Sequence, residues 1–455
     1  MKVREIVEAV RGKLVSGDPD ITVKASGISA DSRSLGKGDL FIALSGANFD
    51  GNDFVSDAFK KGAIGAVVRA PWRGKRKAVG RKAIIEVKDT TKALQDIAHH
   101  HRMKFDIPVI GVTGSSGKTT VKEIIGSVLS SGYNVLKNEG TKNNHIGVPQ
   151  TLLKLNKGHD ICVIEMGTNH PGEIRLLAGI AKPTAAVITN IGPSHLEFLK
   201  DLKGVFDAKR EMLEHLADSG LLILNGDDPF LSRIKDARFD IVKFGFGRNC
   251  DVRASSVNMR GKELTFAVNG VRGFMMKTIG EHDVYNALAA IAVASSFGVK
   301  PGSVKKALAR HAPAGMRLNL ITVRGIDIIN DSYNSNPLSM NSALEALKAY
   351  RARRKWVVTG DMLELGKKDK YFHGILGERI ARSGVSGLMT FGELSRCTSR
   401  AALKCGMDRN NIWHCRKHEE IASILGKVAG KGDAVLVKGS RGMKMERVIE
   451  ILLKK

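Results

Sequence analysis

A run of small residues and one lysine, GVTGSSGKTT from Gly111 to Thr120, follows directly on the apolar Ile107-Pro108-Val109-Ile110. A strand that breaks into a glycine-rich turn, with a helix starting near Lys118, is the context a phosphate-cradling loop needs. Backbone N–H groups in such a turn converge on an anion, and the helix N-terminus adds positive potential. Gly114, Ser115, Ser116, Gly117 and Thr120 are expected around the phosphates of a nucleoside triphosphate. Lys118 is expected to reach the outer ones and the Thr119 hydroxyl to hold Mg²⁺. The first glycine stands at Gly111, one residue further from Lys118 than in the usual spacing, where this chain has Val112.

Other chemistry-bearing residues sit where strands should end. Glu165 closes the apolar run Ile161–Ile164, and in open α/β sheets ligands gather at the carboxyl ends of strands. That places Glu165 to bind Mg²⁺ near Thr119, because Mg²⁺ takes few protein carboxylates beside substrate phosphates. His195 follows the strand-like Ala185–Ile191 and is a candidate ligand for a second divalent ion. Lys209 falls in the helix-like stretch Val205–Leu216, where a lysine is ordinarily solvated, and periodicity alone does not single it out. Late in the chain NDSYNSNP (Asn330–Pro337), GDMLELG (Gly360–Gly366) and KGSRG (Lys438–Gly442) each follow an apolar run. Three polar, glycine-containing strand ends on one sheet mark one rim as functional.

The elements that must position these residues read as α/β throughout. The first 85 or so residues carry a helix-like Val3–Val10, strand-like Leu40–Leu44 and Ala63–Val68, and a basic loop or hairpin at Arg73–Lys82. A helix, Thr90–His101, leads into the phosphate loop. From Val109 to about Leu308, strands (Ile161–Ile164, Ala185–Thr189, Leu221–Leu224) alternate with helices (Val121–Ser131, Glu173–Ile180, Val205–Leu216, Val284–Phe297), which argues for a parallel sheet. Pro301 and Pro313-Ala314-Gly315 suggest a linker. Strands Asp327–Ile329, Trp356–Thr359, Gly387–Thr390 and Ala434–Val437 then alternate with helices Ser339–Tyr350, Tyr371–Arg382 and Glu419–Val428, a second doubly wound unit. The expected domains are 1–86 (small α/β), 87–312 (central parallel-sheet ATPase) and 313–455 (doubly wound α/β).

Bulk properties narrow the class. A chain of 455 residues exceeds a single core. Its five cysteines form no C-x-x-C pair, so neither a disulfide framework nor a zinc site is expected and a reducing, cytoplasmic setting fits. The N-terminal MKVREIVEAVRGKL is charged throughout, unlike a signal peptide, and no apolar stretch is long enough to span a bilayer. With 72 basic against 46 acidic residues the net charge is +26, which invites a nucleic-acid reading. The charge is spread along the chain, however, and only 5% of residues are aromatic, so stacking platforms are few. A solvated basic surface that attracts anionic nucleotides, or an acidic membrane face, is the expectation, with no nucleic-acid partner.

Taken together, these motifs resemble the Mur ligase family, the ATP-dependent amide-bond ligases of peptidoglycan precursor synthesis. The resemblance spans the chain: Asp31-Ser32-Arg33, Gly38-Asp39-Leu40-Phe41 and Asp50-Gly51-Asn52-Asp53-Phe54; GVTGSSGKTT, Asn143-Asn144, VIEMG, TNIGPSHLE and AKREM; Gly280–Ala287, DSYNSNP, GDMLELG and VKGSRG. DSYNSNP and GDMLELG look like the branch that adds D-alanyl-D-alanine, and the DNPR motif of the diaminopimelate-adding branch is missing. The resemblance implies UDP-N-acetylmuramoyl-tripeptide and D-alanyl-D-alanine as substrates, ATP and Mg²⁺ as cofactors, and a monomer. It implies Ser32 and Arg33 near the uridine diphosphate, Asn286 on adenine, and Arg317 and Asp331 on the nucleotide from the last domain. Tyr333, Asn334 and Asn336 would meet the dipeptide or close the site. Lys118, His195 and Lys209 would be catalytic, and Lys209, if carbamylated, would join Thr119, Glu165 and His195 as a metal residue. Departures are Asp283 where the family usually has Asn, Asn52 where a His is common, and a loose Ala314-Gly315-Met316-Arg317. Two rival readings are another Mur-type or folylpolyglutamate ligase and a nucleotide-switched nucleic-acid-binding protein.

Overall fold

The computed structural model of the chain describes residues 1–46, 49–74, 81–313 and 315–454. Three β-sheets succeed one another along it. In the first, Ile28–Ser29, Leu40–Ile42, Gly65–Arg69 and Ala83–Val87 run parallel, and Lys13–Ser16 pairs antiparallel with Ala83–Val87 at one edge. Residues 75–80 of the basic stretch Arg73–Lys82 lie outside the described residues. Helix Thr90–Arg102 starts on Asp89, whose carboxylate accepts from the N–H groups of Thr91 and Lys92. His99, His101 and Arg102 at its other end bond the carbonyls of Ile180, Leu155 and Ala181, which fastens the helix to helix Glu173–Ala181 and to the turn after helix Gly147–Leu152.

In the central sheet Val109–Thr113 lies between Ile161–Glu165 and Ala185–Ile188, all parallel. The chain leaves Val109–Thr113 for the edge strand Val135–Lys137, returns beside it as Ile161–Glu165, and then crosses to Ala185–Ile188 on its other side. The strand order therefore reverses at Val109–Thr113, and the crevice beyond that switch point is where a ligand fits. Parallel strands Leu221–Asn225 and Asp240–Gly245 extend the sheet. Beyond them the expected α/β alternation fails. Val252–Arg260, Glu263–Val268 and Val271–Lys277 form an antiparallel meander, whose half-solvated first strand has the mixed burial of a sheet with one open face. Pro301 is likewise no linker residue: it opens helix Pro301–Arg310, where the first turn tolerates its missing N–H.

The last sheet starts with the hairpin Asn319–Val323 and Ile326–Asp331. Ala434–Lys438, the final strand in sequence, inserts between Ile326–Asp331 and Lys355–Gly360, and Gly387–Phe391 and Ile412–Cys415 complete the parallel set. The carboxyl ends of Ile326–Asp331, Ala434–Lys438 and Lys355–Gly360 thus lie side by side. No described helix is long and apolar enough to cross a membrane.

Candidate active site

The loop after Val109–Thr113 is shaped by two glycines with positive φ. At Gly114 (φ 148°) a Cβ would fall 1.9 Å from Thr189 Oγ1, and at Gly117 (φ 82°) one would fall 2.4 Å from Asn286 Oδ1. Gly111 is not part of the loop. It sits inside the strand, where a Cβ would meet Met212 Sδ at 2.7 Å, so its odd spacing from Lys118 reflects packing rather than phosphate contact. Ser115 is spent on structure: its N–H donates to Asn190 O and its hydroxyl to Gly192 O. Ser116 N–H donates to Asn190 Oδ1 at 2.9 Å. The anion-facing groups that remain are the N–H groups opening helix Lys118–Leu129, which have no partner within the helix.

Lys118 Nζ donates to Gly114 O at 2.7 Å, curled over the loop. Burial brings its ammonium down to about 8, with Glu165 opposing and Arg317 assisting. Thr119 Oγ1 donates to Glu165 Oε1 at 3.1 Å, and Asn143 Nδ2 donates to the same oxygen at 2.6 Å. Glu165 is 1% exposed, and its other oxygen, Oε2, is buried without a hydrogen bond among the described residues. The nearest cation to Oε2 is Lys122 at 3.7 Å, itself fully buried and bonded to the carbonyls of Asn138 and Gly140. Among the described residues no three His, Cys, Asp or Glu side chains converge as a ready-made metal cage.

Lys209 departs from the solvated reading. The helix spans Leu202–Arg210 and ends there, and Lys209 shares its inward face with Val205 and Ala208. It is 2% exposed, and its Nζ makes no hydrogen bond or ion pair among the described residues. Burial, then the like charge of Lys118, pushes its ammonium well below the usual lysine range.

The last sheet supplies the facing wall. Arg317 lies over the Tyr333 ring at 4.2 Å and donates to Thr119 Oγ1 at 3.0 Å. Asp331 accepts from Lys438 Nζ at 2.6 Å, and Asn334 O accepts from the same ammonium at 2.8 Å. Asn334 Oδ1 accepts from the N–H groups of Ser335 and Arg441. Asn336 caps helix Pro337–Ala349 in a capping box with Ser339 and also donates to Ser115 O at 3.3 Å, across the cleft. His195 Nδ1 stands 2.5 Å from Glu364 Oε2, and this bond holds the Glu364 carboxyl below its ordinary range. GDMLELG therefore splits: Glu364 reaches His195, while Asp361 turns away to accept from the N–H groups of Leu394 and Ser395.

Together the walls enclose a cleft of about 650 Å³. Ser115, Ser116, Gly117, Lys118, Thr119, Thr120, Glu165, His195, Asn286, Arg317, Asp331, Tyr333, Asn334 and Asn336 all line it. Asn286 Nδ2 donates to Asp283 Oδ1 at 2.7 Å, so the unusual Asp283 orients the amide beside Gly117. Lys209 lies behind the cleft, and Ser32 and Arg33 lie away from it. Arg33 forks onto Asp31 with two bonds of 2.9 Å and holds that carboxyl down to about 2, and Ser32 O accepts from Lys61.

Comparison with known proteins decides the family. Three family profiles match in sequence order: the Mur ligase family catalytic domain over residues 24–102, the Mur ligase middle domain over 112–294, and the Mur ligase glutamate ligase domain over 316–441. The chain belongs to the Mur ligase family. The UDP-N-acetylmuramoyl-tripeptide–D-alanyl-D-alanine ligase of Bacillus subtilis (strain 168) is 38% identical, covering 99% of this chain and 98% of its own. The Escherichia coli (strain K12) protein of the same name is 33% identical over 98% and 97%. Among solved structures, MurF from Acinetobacter baumannii (crystal structure I) aligns with a TM-score of 0.88 at 30% identity, covering 100% of this chain and 99% of that one. The MurF ligase from Thermotoga maritima in complex with ADP aligns with a TM-score of 0.83 at 29% identity, covering 95% and 99%.

In this Mur ligase, residue-by-residue reading missed Lys122, Glu364 and the Glu165 contact of Asn143. Lys122 sits one turn after Lys118 on the same helix, the spacing that turns both toward one face. Asn143 and Glu364 lie in recognisable motifs, yet only the fold brings them to Glu165 and His195.

Proposed function

We propose that this chain is an ATP-dependent ligase that joins the free carboxylate of UDP-N-acetylmuramoyl-tripeptide to the amine of D-alanyl-D-alanine, in peptidoglycan precursor synthesis. One observation carries the reading: full-length similarity to ligases of that name coincides with a nucleotide-sized cleft whose second wall is built by DSYNSNP. The domains are taken as 1–86, 87–312 and 313–455, and the enzyme as a cytoplasmic monomer.

Phosphates of ATP lie against the first turn of helix Lys118–Leu129. Lys118 exchanges the Gly114 carbonyl for phosphate oxygens, and Arg317 brings a second cation from the facing wall. Asn286 and Asp331 bound the rest of the nucleotide. The tripeptide carboxylate oxygen attacks the γ-phosphorus as the bond to ADP breaks, giving an acyl phosphate. Such a transfer asks the protein for positioning and charge neutralisation. The neutral dipeptide amine then attacks the acyl carbon. Phosphate leaves with the bonding electrons, and the nitrogen sheds its extra proton. Tyr333 and Asn334 border the space into which the dipeptide comes, and the closed walls keep water from the acyl phosphate. Ser32 and Arg33, on the first sheet's side, hold the uridine diphosphate.

Glu165 suits Mg²⁺: a buried carboxylate with one oxygen unmet, beside a threonine hydroxyl. His195 and Lys209 would hold a second ion, Lys209 as the carbamate that an uncharged buried amine can form with CO₂. Bound there, Mg²⁺ would offset the charge of the transferring phosphoryl group.

The test is a phosphate-release assay with UDP-muramoyl-tripeptides carrying each diamino acid, offered D-alanyl-D-alanine or single amino acids. Release with the dipeptide, lost in Lys118→Ala, supports the reading. Release with a single amino acid instead would assign another Mur-type activity.

A further inference from the structure

Glu364 has no part in the scheme above, yet it makes the contact that joins the last sheet to His195. Its carboxylate meets Nδ1 at 2.5 Å, and its own carbonyl accepts from Glu197 N–H at 3.1 Å, two residues past the histidine. Both partners hold left-handed backbone, His195 at φ 53° and Glu364 at φ 63°, a conformation that side-chain-bearing residues adopt at a cost and that persists only where the surroundings enforce it. The approach is close: at Gly366 (φ 59°) a Cβ would stand 3.0 Å from Glu197 Cα. His195 lines the nucleotide cleft, and its Nε2 has no protein partner among the described residues.

An imidazole that donates one N–H to a carboxylate has its tautomer and ring orientation set by that bond, and the other nitrogen is left as an acceptor. We propose that Glu364 is a positioning residue, which accepts the Nδ1–H of His195 when the last sheet closes over the central one and so presents Nε2 to the cleft as a lone-pair donor. The inference rests on the ligase reading. Because the carboxylate comes from the last sheet and the imidazole from the central one, His195 is aligned only in the closed arrangement. Phosphoryl transfer is thereby tied to a state in which water is excluded.

The experiment uses the full-length protein with Glu364→Ala and Glu364→Gln. For Glu364→Ala the expectation is a fall in kcat of about 10- to 100-fold, the usual cost of losing such an outer partner. KM for ATP should stay close to that of the unaltered protein, and the small-angle scattering dimensions with ADP should not change. Glu364→Gln, whose carbonyl oxygen can still accept from Nδ1–H, should recover part of the loss. A kcat within about twofold of the unaltered protein overturns the proposal. So does a loss matched by failure to compact with ADP, which would make the contact a latch only. Should Glu364→Ala not fold, the ring-nitrogen shifts of ¹⁵N-labelled His195, assigned against His195→Asn, test the same point in the unaltered protein. Nδ1 should appear protonated and Nε2 bare, and a mixture of tautomers refutes the idea. If the unaltered protein releases no phosphate with D-alanyl-D-alanine, the ligase reading fails, while the nitrogen shifts still judge the pairing.

Discussion

Behind the central wall of the cleft Lys209 is 2% exposed, and among the described residues its Nζ has no hydrogen-bond or ion-pair partner. On the facing wall Lys438, equally buried at 2%, donates hydrogen bonds to Asp331 Oδ2 and Asn334 O. Burial lowers the pKa of both, but Asp331 opposes the fall at Lys438, whereas the like charge of Lys118 deepens it at Lys209. The central wall is not short of acceptors, for it satisfies the fully buried Lys122 with two carbonyls. The contrast teaches where to look for chemistry. A buried charge with partners is architecture, and one left without them is a group whose other form, or whose ligand, the site is built to use.

The largest expected effect leaves that contrast intact and removes the phosphate-binding cation. Lys118→Ala should lower kcat/KM about 10³-fold, as loss of a charge-stabilising donor does, with little change in the urea midpoint. The next pair of variants tests the contrast itself. Lys209→Met replaces a buried amine that burial keeps from its charged form with an apolar side chain, so the urea midpoint should hold or rise while turnover falls about 100-fold. Lys438→Met strands Asp331, whose side chain is only 13% exposed, and should cost about 3 kcal/mol of stability. If Lys209→Met proves the more destabilising of the two, the distinction between architectural and functional lysines fails.

Legibility followed the range of the interactions. The strand, loop and helix around Lys118 are local, and periodicity with glycine spacing reveals them. Glu165, NDSYNSNP and KGSRG were visible for a similar reason, since each ends an apolar run. What could not be read lies between elements distant in sequence. Arg317 meets Thr119 across 198 residues and Glu364 meets His195 across 169, through sheet packing that no local pattern encodes. Periodicity alone makes Lys209 solvated because Val205–Leu216 reads as one amphipathic helix. The helix in fact stops at Arg210 and a 3₁₀ turn, Glu211–Glu214, takes over. The meander at Val252–Lys277 was overlooked because the α/β rhythm around it suggested more of the same.

A smaller effect sharpens the account of the central wall. Burial disfavours the charge of Lys118 and brings its ammonium down to about 8, below the usual lysine range. Phosphate binding requires the charged form. The free enzyme is therefore competent below pH 8 and loses the ammonium as the pH rises through that value. KM for ATP should be flat near pH 7 and climb up to about tenfold per unit above pH 8, the limiting slope of a single proton. Lys118→Arg, permanently charged, should bind more weakly but show no such limb. A KM that stays flat to pH 9.5 would mean that Lys118 keeps its proton and is less buried in solution.

The smallest effect lies where the two walls touch. Asn336 does two jobs with one amide. Its oxygen accepts from Ser339 N–H to cap helix Pro337–Ala349, and its nitrogen donates to Ser115 O at 3.3 Å in the phosphate loop. Asn336→Ala should cost about 1 kcal/mol for the lost cap, read as a lowered urea midpoint. Asn336→Asp keeps the cap acceptor and adds favourable charge at a helix N-terminus, so stability should hold. It also removes the donor to Ser115 and sets a carboxylate against a carbonyl beside the phosphates. That variant should therefore raise KM for ATP with the midpoint unmoved, which separates the contact between the walls from the helix it starts.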